Sequence, residues 1–269
     1  MRRFLSCALS AAIVSLFFVL PSSAAEAPAK KEVDCSKCHA GLTAKKKVVH
    51  AAVSMGCPAC HSGIDDALKV PHKKTTSFAK GLSADQPELC YGCHDKAKFT
   101  HTVVHAAIGM GCTACHNPHA SDNEKLLIAP VPDLCMNCHD KAEFTKKNVH
   151  PPVADKMCLV CHDPHSSDNY ALLQKAPSVI CLDCHEEVAK RPHALAGFGG
   201  NGHSLGLPKA EKKEKKEPEG KKKEKMDPAR QGKPFSCTSC HNPHSSDSVR
   251  LFRYPARTPM ELCKNCHKY

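Results

Sequence analysis

Apolar residues are unevenly distributed along this chain. One continuous apolar run extends from Phe4 to Leu20, and beyond it leucine, valine and isoleucine occur singly or in short groups among polar residues. Residues 209–225 are almost pure Lys and Glu and present no apolar face. We find no stretch that alternates apolar and polar residues as a half-buried strand does. The pattern predicts short helices of one to three turns joined by irregular, Pro- and Gly-rich loops, with little or no β-sheet.

The N-terminal apolar run has the features of an export signal. Met1-Arg2-Arg3 is a positively charged start, and Ser23-Ala24-Ala25 fits a cleavage site of small residues. The run is shorter than the about 20 residues that a membrane-spanning helix needs, so an uncleaved anchor is the less favoured interpretation. We expect residues 1–25 to be a signal peptide, with Cys7 as part of it, and the remaining chain to have no stable membrane span.

One short motif, Cys-x-x-Cys-His, recurs nine times after this signal. It is the attachment signature of c-type haem, in which both thiols bond the porphyrin and the histidine ligates the iron. The cysteines are Cys35, Cys38, Cys57, Cys60, Cys90, Cys93, Cys112, Cys115, Cys135, Cys138, Cys158, Cys161, Cys181, Cys184, Cys237, Cys240, Cys263 and Cys266. The motif histidines are His39, His61, His94, His116, His139, His162, His185, His241 and His267. The sequence therefore predicts nine covalently attached haems.

Two other kinds of site use pairs of cysteines. A structural zinc ion needs two such pairs, and neither zinc binding nor a disulfide scaffold explains a histidine after every second cysteine. Apart from Cys7, every cysteine belongs to one of the nine motifs, so no thiol is left over. Haem attachment accounts for the whole pattern.

The composition is poor in the residues that fill protein cores. The chain has no Trp, four Tyr and nine Phe, although a soluble chain of this length normally buries a large apolar core. We infer that the porphyrins are the core and that a haem-free chain lacks the burial needed to offset its conformational entropy.

The formal charge of +11 suggests binding to nucleic acid or anionic lipid. However, every haem carries two propionates, and those of nine haems would outweigh the positive excess. The lysines are therefore better explained as counter-charges for propionates, and we expect no nucleic-acid partner. Some of them could still steer redox partner proteins in a salt-dependent way.

The chain is built from an internal repeat. Successive motifs begin 22, 33, 22, 23, 23, 23, 56 and 26 residues apart. One linker type has a histidine 11 residues after the motif histidine, as in Val-Val-His50. The other type has one three residues after it, as in Cys-His-Asn-Pro-His119, followed by Ser/Ala-Ser-Asp and a Leu-Leu or Leu-Phe pair.

These repeats resemble the doubled Cys-x-x-Cys-His multihaem cytochromes found in the envelopes of metal- and sulfur-respiring bacteria. The resemblance covers nearly all of the chain after the signal and is strongest in the units that begin at Cys112, Cys158 and Cys237. It weakens at Cys57, where Ser62-Gly63 replaces Asn/Asp-Pro and the next histidine is His72. The family implies bis-histidine haems, electron transfer, and short helices and irregular loops wrapped around stacked haems.

Ten histidines lie outside the motifs, which nearly equals the nine distal ligands that nine haems need. The predicted distal ligands are His50, His72, His105, His119, His150, His165, His193, His203 and His244. His101 is the natural spare because His105 occupies the repeated position, although His193 is the other possibility. Met55, Met110 and Met157 recur just before motifs, and we expect them to pack on haem faces rather than to ligate iron.

Geometry restricts which haem each distal histidine can serve. Residues three apart on a helical turn lie on the same side of it, whereas two axial ligands approach one iron from opposite faces. His119, His165 and His244 must therefore serve haems other than those held by the motif histidines just before them.

Four segments are expected. These are the signal peptide 1–25, a heptahaem repeat region 26–205, a Lys/Glu-rich flexible insertion 206–236 and a C-terminal dihaem unit 237–269. A docking arm for a partner is the less favoured interpretation of the insertion.

The sequence predicts a periplasmic electron-transfer protein and not an enzyme. Inner-membrane quinol-linked cytochromes and small periplasmic cytochromes are the expected donors, and an outer-membrane conduit or a terminal reductase the expected acceptor. One alternative is a reductase of nitrite, hydroxylamine or a sulfur oxyanion, for which no open haem site is visible. Another is a subunit of a haem filament or of a porin–cytochrome conduit.

Overall fold

The computed structural model describes residues 33–65, 68–190, 226–233 and 235–268. The predicted signal peptide and most of the Lys/Glu-rich insertion lie outside this part. Residues Cys35–Tyr269 form one compact unit. No helix among the described residues is both long enough and apolar enough to cross a bilayer.

The α-helices of the described residues are four to six residues long. A single turn is too short to be stable alone, so these helices depend on tertiary contacts. Proline at the first turn starts several of them, since it needs no hydrogen-bond partner there. They are α1 (Ser36–His39), α2 (Glu88–Tyr91), α3 (Asp133–Met136), α4 (Pro151–Ala154), α5 (Cys158–Cys161), α6 (Pro177–Leu182), α7 (Glu186–Lys190), α8 (Cys237–Cys240) and α9 (Pro259–Cys263).

Short 3₁₀ segments occupy much of the remaining described chain. They are Ala40–Leu42, Ala51–Met55, Cys57–Ala59, Ala79–Gly81, Lys96–Phe99, Ala106–Met110, Cys112–Ala114, Glu124–Leu126, Lys141–Phe144, Tyr170–Leu172 and Val249–Leu251. Four of them contain a residue in the left-handed region and are therefore turns rather than continuous helices.

Three two-stranded antiparallel sheets are present in the described part. Strand β1 (Val48–Val49) pairs with β3 (Ala120–Ser121), β2 (Val103–Val104) with β5 (Ser166–Ser167), and β4 (Asn148–Val149) with β6 (Ser245–Ser246). Each pairing joins segments more than 60 residues apart in the chain. The predicted fold class, short helices and loops with little sheet, is confirmed.

Few apolar side chains are buried in the described part. They are Ala120, Leu173, Phe252 and Ala256. The most enclosed side chains are instead serines, with Ser166 and Ser245 at 2% and 0% exposure. The described elements are therefore held together mainly by backbone and serine hydrogen bonds.

Candidate functional site

Seven motif histidines each lie opposite one of the predicted distal histidines. The ring centroids of each pair are 5.9–6.1 Å apart. The pairs are His39 with His72, His94 with His50, His61 with His119, His139 with His105, His116 with His165, His185 with His150, and His162 with His244. The histidines of each pair come from different parts of the chain, so the tertiary structure creates these contacts.

The spacing of the paired rings fits one metal ion between them. A bond between a metal ion and an imidazole nitrogen is about 2 Å, so two imidazoles on opposite sides of one ion have centroids about 6 Å apart. In five pairs the ring planes are within 14–24° of each other, while His39–His72 and His162–His244 are tilted by 49° and 40°. The residues present therefore fit a haem iron with two histidine ligands.

Backbone carbonyls fix the tautomer of several motif histidines. Nδ1 of His61, His116, His162 and His241 donates to the carbonyl of Lys80, Lys125, Ala171 and Arg250, over 2.7–3.0 Å. A protonated Nδ1 leaves Nε2 as the nitrogen with a free lone pair, which is the usual arrangement of a metal-ligating histidine.

A left-handed turn aims each of these carbonyls. Lys80, Lys125, Ala171 and Arg250 all have φ of 54–55°, and the residue after each also has positive φ. Non-glycine residues adopt this region at a cost of roughly 1–2 kcal/mol each. This turn lets its carbonyl accept the hydrogen bond from the motif histidine, which accounts for the strained conformation at all four positions.

The linker histidines are held by a second recurring contact. Nδ1 of His50, His105 and His150 donates to the carbonyls of Pro118, Pro164 and Pro243, each over 2.9 Å. Their backbone N–H groups donate to the carbonyls of His119, His165 and His244 over 2.8–3.0 Å. The proline of Cys-His-x-Pro-His thus supplies a carbonyl that orients a histidine from another linker.

Each small sheet therefore secures two distal histidines at once. We call the three sheets, with the histidine at the end of each strand, the ligand clamps: β1–β3 holds His50 and His119, β2–β5 holds His105 and His165, and β4–β6 holds His150 and His244. In each clamp the first histidine faces an odd-numbered motif and the second an even-numbered one. The clamps thus couple motifs two and three, four and five, and six and seven.

The histidines that follow a motif histidine by three residues face a different, distant motif. His119 lies opposite His61, His165 opposite His116, and His244 opposite His162. In each case the distal histidine follows a motif two positions further along the chain than the motif it faces.

Burial affects the protonation of the distal imidazoles. It lowers the pKa of His119, His150 and His165, and it lowers the pKa of His244 to about 4, with help from nearby His162 and Arg253. A neutral imidazole is the form that can donate its lone pair to a metal.

Thiols of consecutive motifs lie close enough to influence each other. Burial, followed by Cys112 and Cys60, raises the pKa of the Cys90 thiol to about 11. A hydrogen bond from Cys181 lowers the pKa of Cys237 to about 6 and raises that of Cys181. Similar effects join Cys135 to Cys115 and Cys158, Cys161 to Cys184, and Cys240 to Cys263 and Cys266. Motifs two to nine therefore lie in a row, each beside the next.

His101 takes part in a different contact. Its Nδ1 lies 3.0 Å from a carboxylate oxygen of Asp168, and its backbone N–H donates to the hydroxyl of Ser166. Asp122 and Asp247 occupy equivalent positions in the other clamps and bind the Lys46 ammonium and the Lys147 backbone N–H. His101 is therefore a clamp residue. The predicted ligands His193 and His203 lie outside the described residues.

The unit at Cys57 contains an insertion. Thr76 donates to the carbonyl of Leu82 as Ser121 does to that of Leu127, so Thr76 and Ser121 are equivalent positions. Lys74 then occupies the place of His119, and the distal histidine is His72, two residues earlier. Nδ1 of His72 is buried without a hydrogen-bond partner, unlike Nδ1 of the clamped linker histidines. This explains why the repeat is irregular here in sequence.

Several residues around the imidazoles escaped the sequence analysis. Phe99 and Phe144 pack their rings 4.9 Å from those of His165 and His244. Ser166 and Ser245 donate to the carbonyls of Lys98 and Glu143, next to the phenylalanines. In the sequence, these phenylalanines are marked by the segment Asp-Lys-Ala-x-Phe-Thr, which recurs after the third and fifth motifs.

The methionines expected on haem faces are exposed in the chain itself. Met55, Met110 and Met157 have exposures of 66%, 63% and 47%. Such exposed apolar side chains at repeated positions beside motifs are compatible with packing on a haem, and that contact stays a prediction.

The cysteines are arranged differently from those of zinc or disulfide sites. No disulfide joins any of the 18 motif cysteines. The part of the chain that the structure covers contains no group of three or more His, Cys, Asp or Glu side chains arranged to hold a metal ion. The fold instead assembles imidazoles two at a time, each pair beside two thiols.

A family model describing a doubled CXXCH motif matches residues 50–99, 105–144, 150–190 and 227–269. The first three matches begin at or next to the clamped histidines His50, His105 and His150, so they follow the structural repeat. A comparison with curated proteins finds no significant match. Because the four matched segments make up more than half of the chain, the protein belongs to the doubled CXXCH motif family and is a multihaem c-type cytochrome that transfers electrons.

Proposed function

We propose that this protein carries nine haems, each with two histidine ligands, and relays electrons along them in the periplasm during anaerobic or extracellular respiration. The observation that carries the proposal is the set of seven imidazole pairs with ring centroids 5.9–6.1 Å apart. Haem iron supplies a one-electron carrier that alternates between the ferric and ferrous states.

The polypeptide supplies ligands and holds them still. The two imidazoles of a pair would hold an iron between them and would leave no place for a substrate on it. Hydrogen bonds that Nδ1 donates to backbone carbonyls orient the rings of both motif and distal histidines, as in His116 and His105. Ligands that stay in place during oxidation and reduction keep the reorganisation small, which suits electron transfer.

The seven imidazole pairs of the described residues account for motifs one to seven. His241 and His267 belong to motifs eight and nine. The repeat places a linker histidine opposite the motif two positions later, so His193, between motifs seven and eight, corresponds to motif nine. His203 is the one predicted distal histidine that then has no motif assigned to it, and we assign it to motif eight. We propose these four histidines as the remaining ligand pairs.

The order of the motifs supports a linear relay. Thiols of neighbouring motifs influence each other along the row from motif two to motif nine. A row of closely spaced carriers suits hopping, since tunnelling falls steeply with distance.

The location and partners follow from the same proposal. The positively charged start and apolar run of residues 1–25 support export, and haem is attached to such motifs after export. Quinol-linked cytochromes of the inner membrane or small periplasmic cytochromes would donate electrons. An outer-membrane conduit or a terminal reductase would accept them.

Intact mass and low-temperature EPR of the purified exported protein test the proposal together. The expected mass is that of residues 26–269 plus nine haems, and all iron is expected to be low-spin. A colourless protein, or one with the mass of its amino acids alone, would contradict it. A high-spin signal in the resting protein, with rapid binding of nitrite or sulfite, would instead favour a reductase.

A further inference from the structure

The eighth motif is enclosed by polar groups more completely than the others. Thr238 and Ser239, between its cysteines, are each 6% exposed, whereas the equivalent residues of the other eight motifs are half-buried or exposed. Ser236, just before the motif, is 4% exposed. The environment of the haem attached here therefore differs from that of the haems on equivalent loops.

A buried ion pair covers one side of this motif. Asp227 and Arg230 lie 2.6 Å apart, with side-chain exposures of 1% and 16%. Arg230 also donates to the hydroxyls of Thr238 and Ser239 over 3.1 and 3.2 Å. The two charges offset each other, so this pair positions the motif but adds little net charge.

A second arginine lies against the same motif. Arg253 donates from Nε to the carbonyl of Thr238 over 2.9 Å and from Nη2 to the carbonyl of His241 over 3.4 Å. Its guanidinium thus contacts the backbone of the haem-attachment loop itself. Burial, and then Arg230, lowers the pKa of Arg253 below its ordinary value, yet a guanidinium stays protonated in proteins.

The same position in the other loops carries no charge. Arg253 donates its backbone N–H to the carbonyl of Cys240, as Ser83, Ile128 and Gln174 do to those of Cys60, Cys115 and Cys161. These four residues are therefore structurally equivalent. Of the four loops, the eighth is the one that places a cation at this point.

Nearby charges do not cancel that of Arg253. Asp227 is already paired with Arg230 at 2.6 Å. Lys146 and Asp247 line the same small cavity as Arg253, and their opposite charges offset each other. One positive charge, half-shielded from water, remains beside the loop.

We propose that Arg253 raises the reduction potential of the haem attached to Cys237 and Cys240 above those of the haems on the equivalent loops at Cys57, Cys112 and Cys158. Reduction adds an electron to the haem, so a fixed positive charge in a poorly screened position favours the reduced form. Among these four haems, electrons would then favour the one at motif eight. This inference depends on the proposed haem content.

Potentiometric titration of the purified holoprotein, followed by the haem absorption bands, tests the proposal. Arg253→Gln recreates the side chain found at Gln174 and is expected to move the step of one haem to lower potential, with the other steps unchanged. Arg253→Lys keeps the charge and is expected to titrate like the native protein. The matched variant Gln174→Arg adds the cation at motif six and is expected to raise the potential of one haem.

Some outcomes would overturn the proposal. An unchanged titration of Arg253→Gln with full haem mass would overturn it, as would Arg253→Lys shifting as far as Arg253→Gln, because the contact rather than the charge would then matter. Gln174→Arg with no shift and full haem mass would also count against it. If mass spectrometry of the native protein showed no haem on Cys237 and Cys240, the nine-haem proposal and this inference would both be overturned.

Discussion

At the scale of single residues, the hydrogen-bond partner of Nδ1 distinguishes His105 from His101. In His105, Nδ1 donates to the carbonyl of Pro164, and the ring lies about 6 Å from that of His139 between centroids. In His101, four residues earlier, Nδ1 instead meets the carboxylate of Asp168 at 3.0 Å. The same side chain therefore faces a motif imidazole or makes a structural contact according to its neighbours.

Replacing these two histidines should have different effects. His105→Ala is expected to convert one haem from low-spin to high-spin, because the iron that faces His139 loses its second ligand. His101→Ala is the matched control and should leave every haem low-spin. Low-temperature EPR measures both. A high-spin signal in His101→Ala, or none in His105→Ala, would contradict the assignment.

The contacts of Asp168 should make one clamp sensitive to acid. The backbone N–H and hydroxyl of Thr102, followed by His101, lower the pKa of the Asp168 carboxyl below its ordinary value of 3.8. A depressed pKa means that the stabilisation is complete above about pH 4. It is then lost as pH falls through the lower pKa of the folded state.

Thermal unfolding of the native protein and Asp168→Asn over a range of pH measures this effect. The difference in Tm between them is expected to stay constant from pH 7 to about pH 4 and to narrow at lower pH. A difference that does not change in acid would show that the charge of Asp168 contributes nothing.

At the scale of elements, the ligand clamps join segments that are distant in the chain. Each strand has two residues, which is far too few for independent stability. The clamps persist through the serines that follow the distal histidines. Ser245 donates to the carbonyl of Glu143 and accepts from the N–H of Lys146, and Ser246 donates to the carbonyl of Phe252. One short segment thereby connects three parts of the chain.

Removing a clamp serine should be costly despite its small size. Ser245→Ala deprives the part-buried carbonyl of Glu143 and the part-buried N–H of Lys146 of their partner, which costs about 1–3 kcal/mol. Ser54→Ala is the control, because Ser54 is exposed and its hydroxyl bonds the carbonyl of Ala51 within the same turn; a change within about 0.5 kcal/mol is expected. Chemical denaturation of the two holoproteins gives both values, and equal values would refute the importance of the clamp.

At the scale of the whole molecule, the described residues have little apolar interior of their own. The buried apolar side chains of the described residues are two alanines, one leucine and one phenylalanine. Folding costs about 1–2 kcal/mol of backbone entropy for each ordered residue, which this burial does not offset. The haems are the natural source of the missing apolar surface.

Residues 26–269 made without haem attachment should therefore be disordered. We expect a circular dichroism spectrum without stable helix and no cooperative thermal transition. Hydrogen exchange should show little protection at the clamp amides, such as that of His150, whose N–H donates to the carbonyl of His244 in the folded protein. A haem-free chain that melts cooperatively would contradict this account.

The nine Cys-x-x-Cys-His motifs, the family and the fold class could be determined from the sequence, because haem attachment needs only residues that are adjacent in the chain. The regular linker histidines were also visible, since they recur at fixed distances from the motifs. Which imidazole faces which could not be deduced, because the pairing of His50 with His94 or of His165 with His116 depends on strands that join distant segments.

The contact of Arg253 with motif eight and the packing of Phe144 on His244 likewise exist only in three dimensions. We propose that pairs of imidazoles, held by carbonyls of the chain, enclose iron porphyrins. Local chemistry fixed where a porphyrin is bonded, and the folding of remote segments decided what closes its other face.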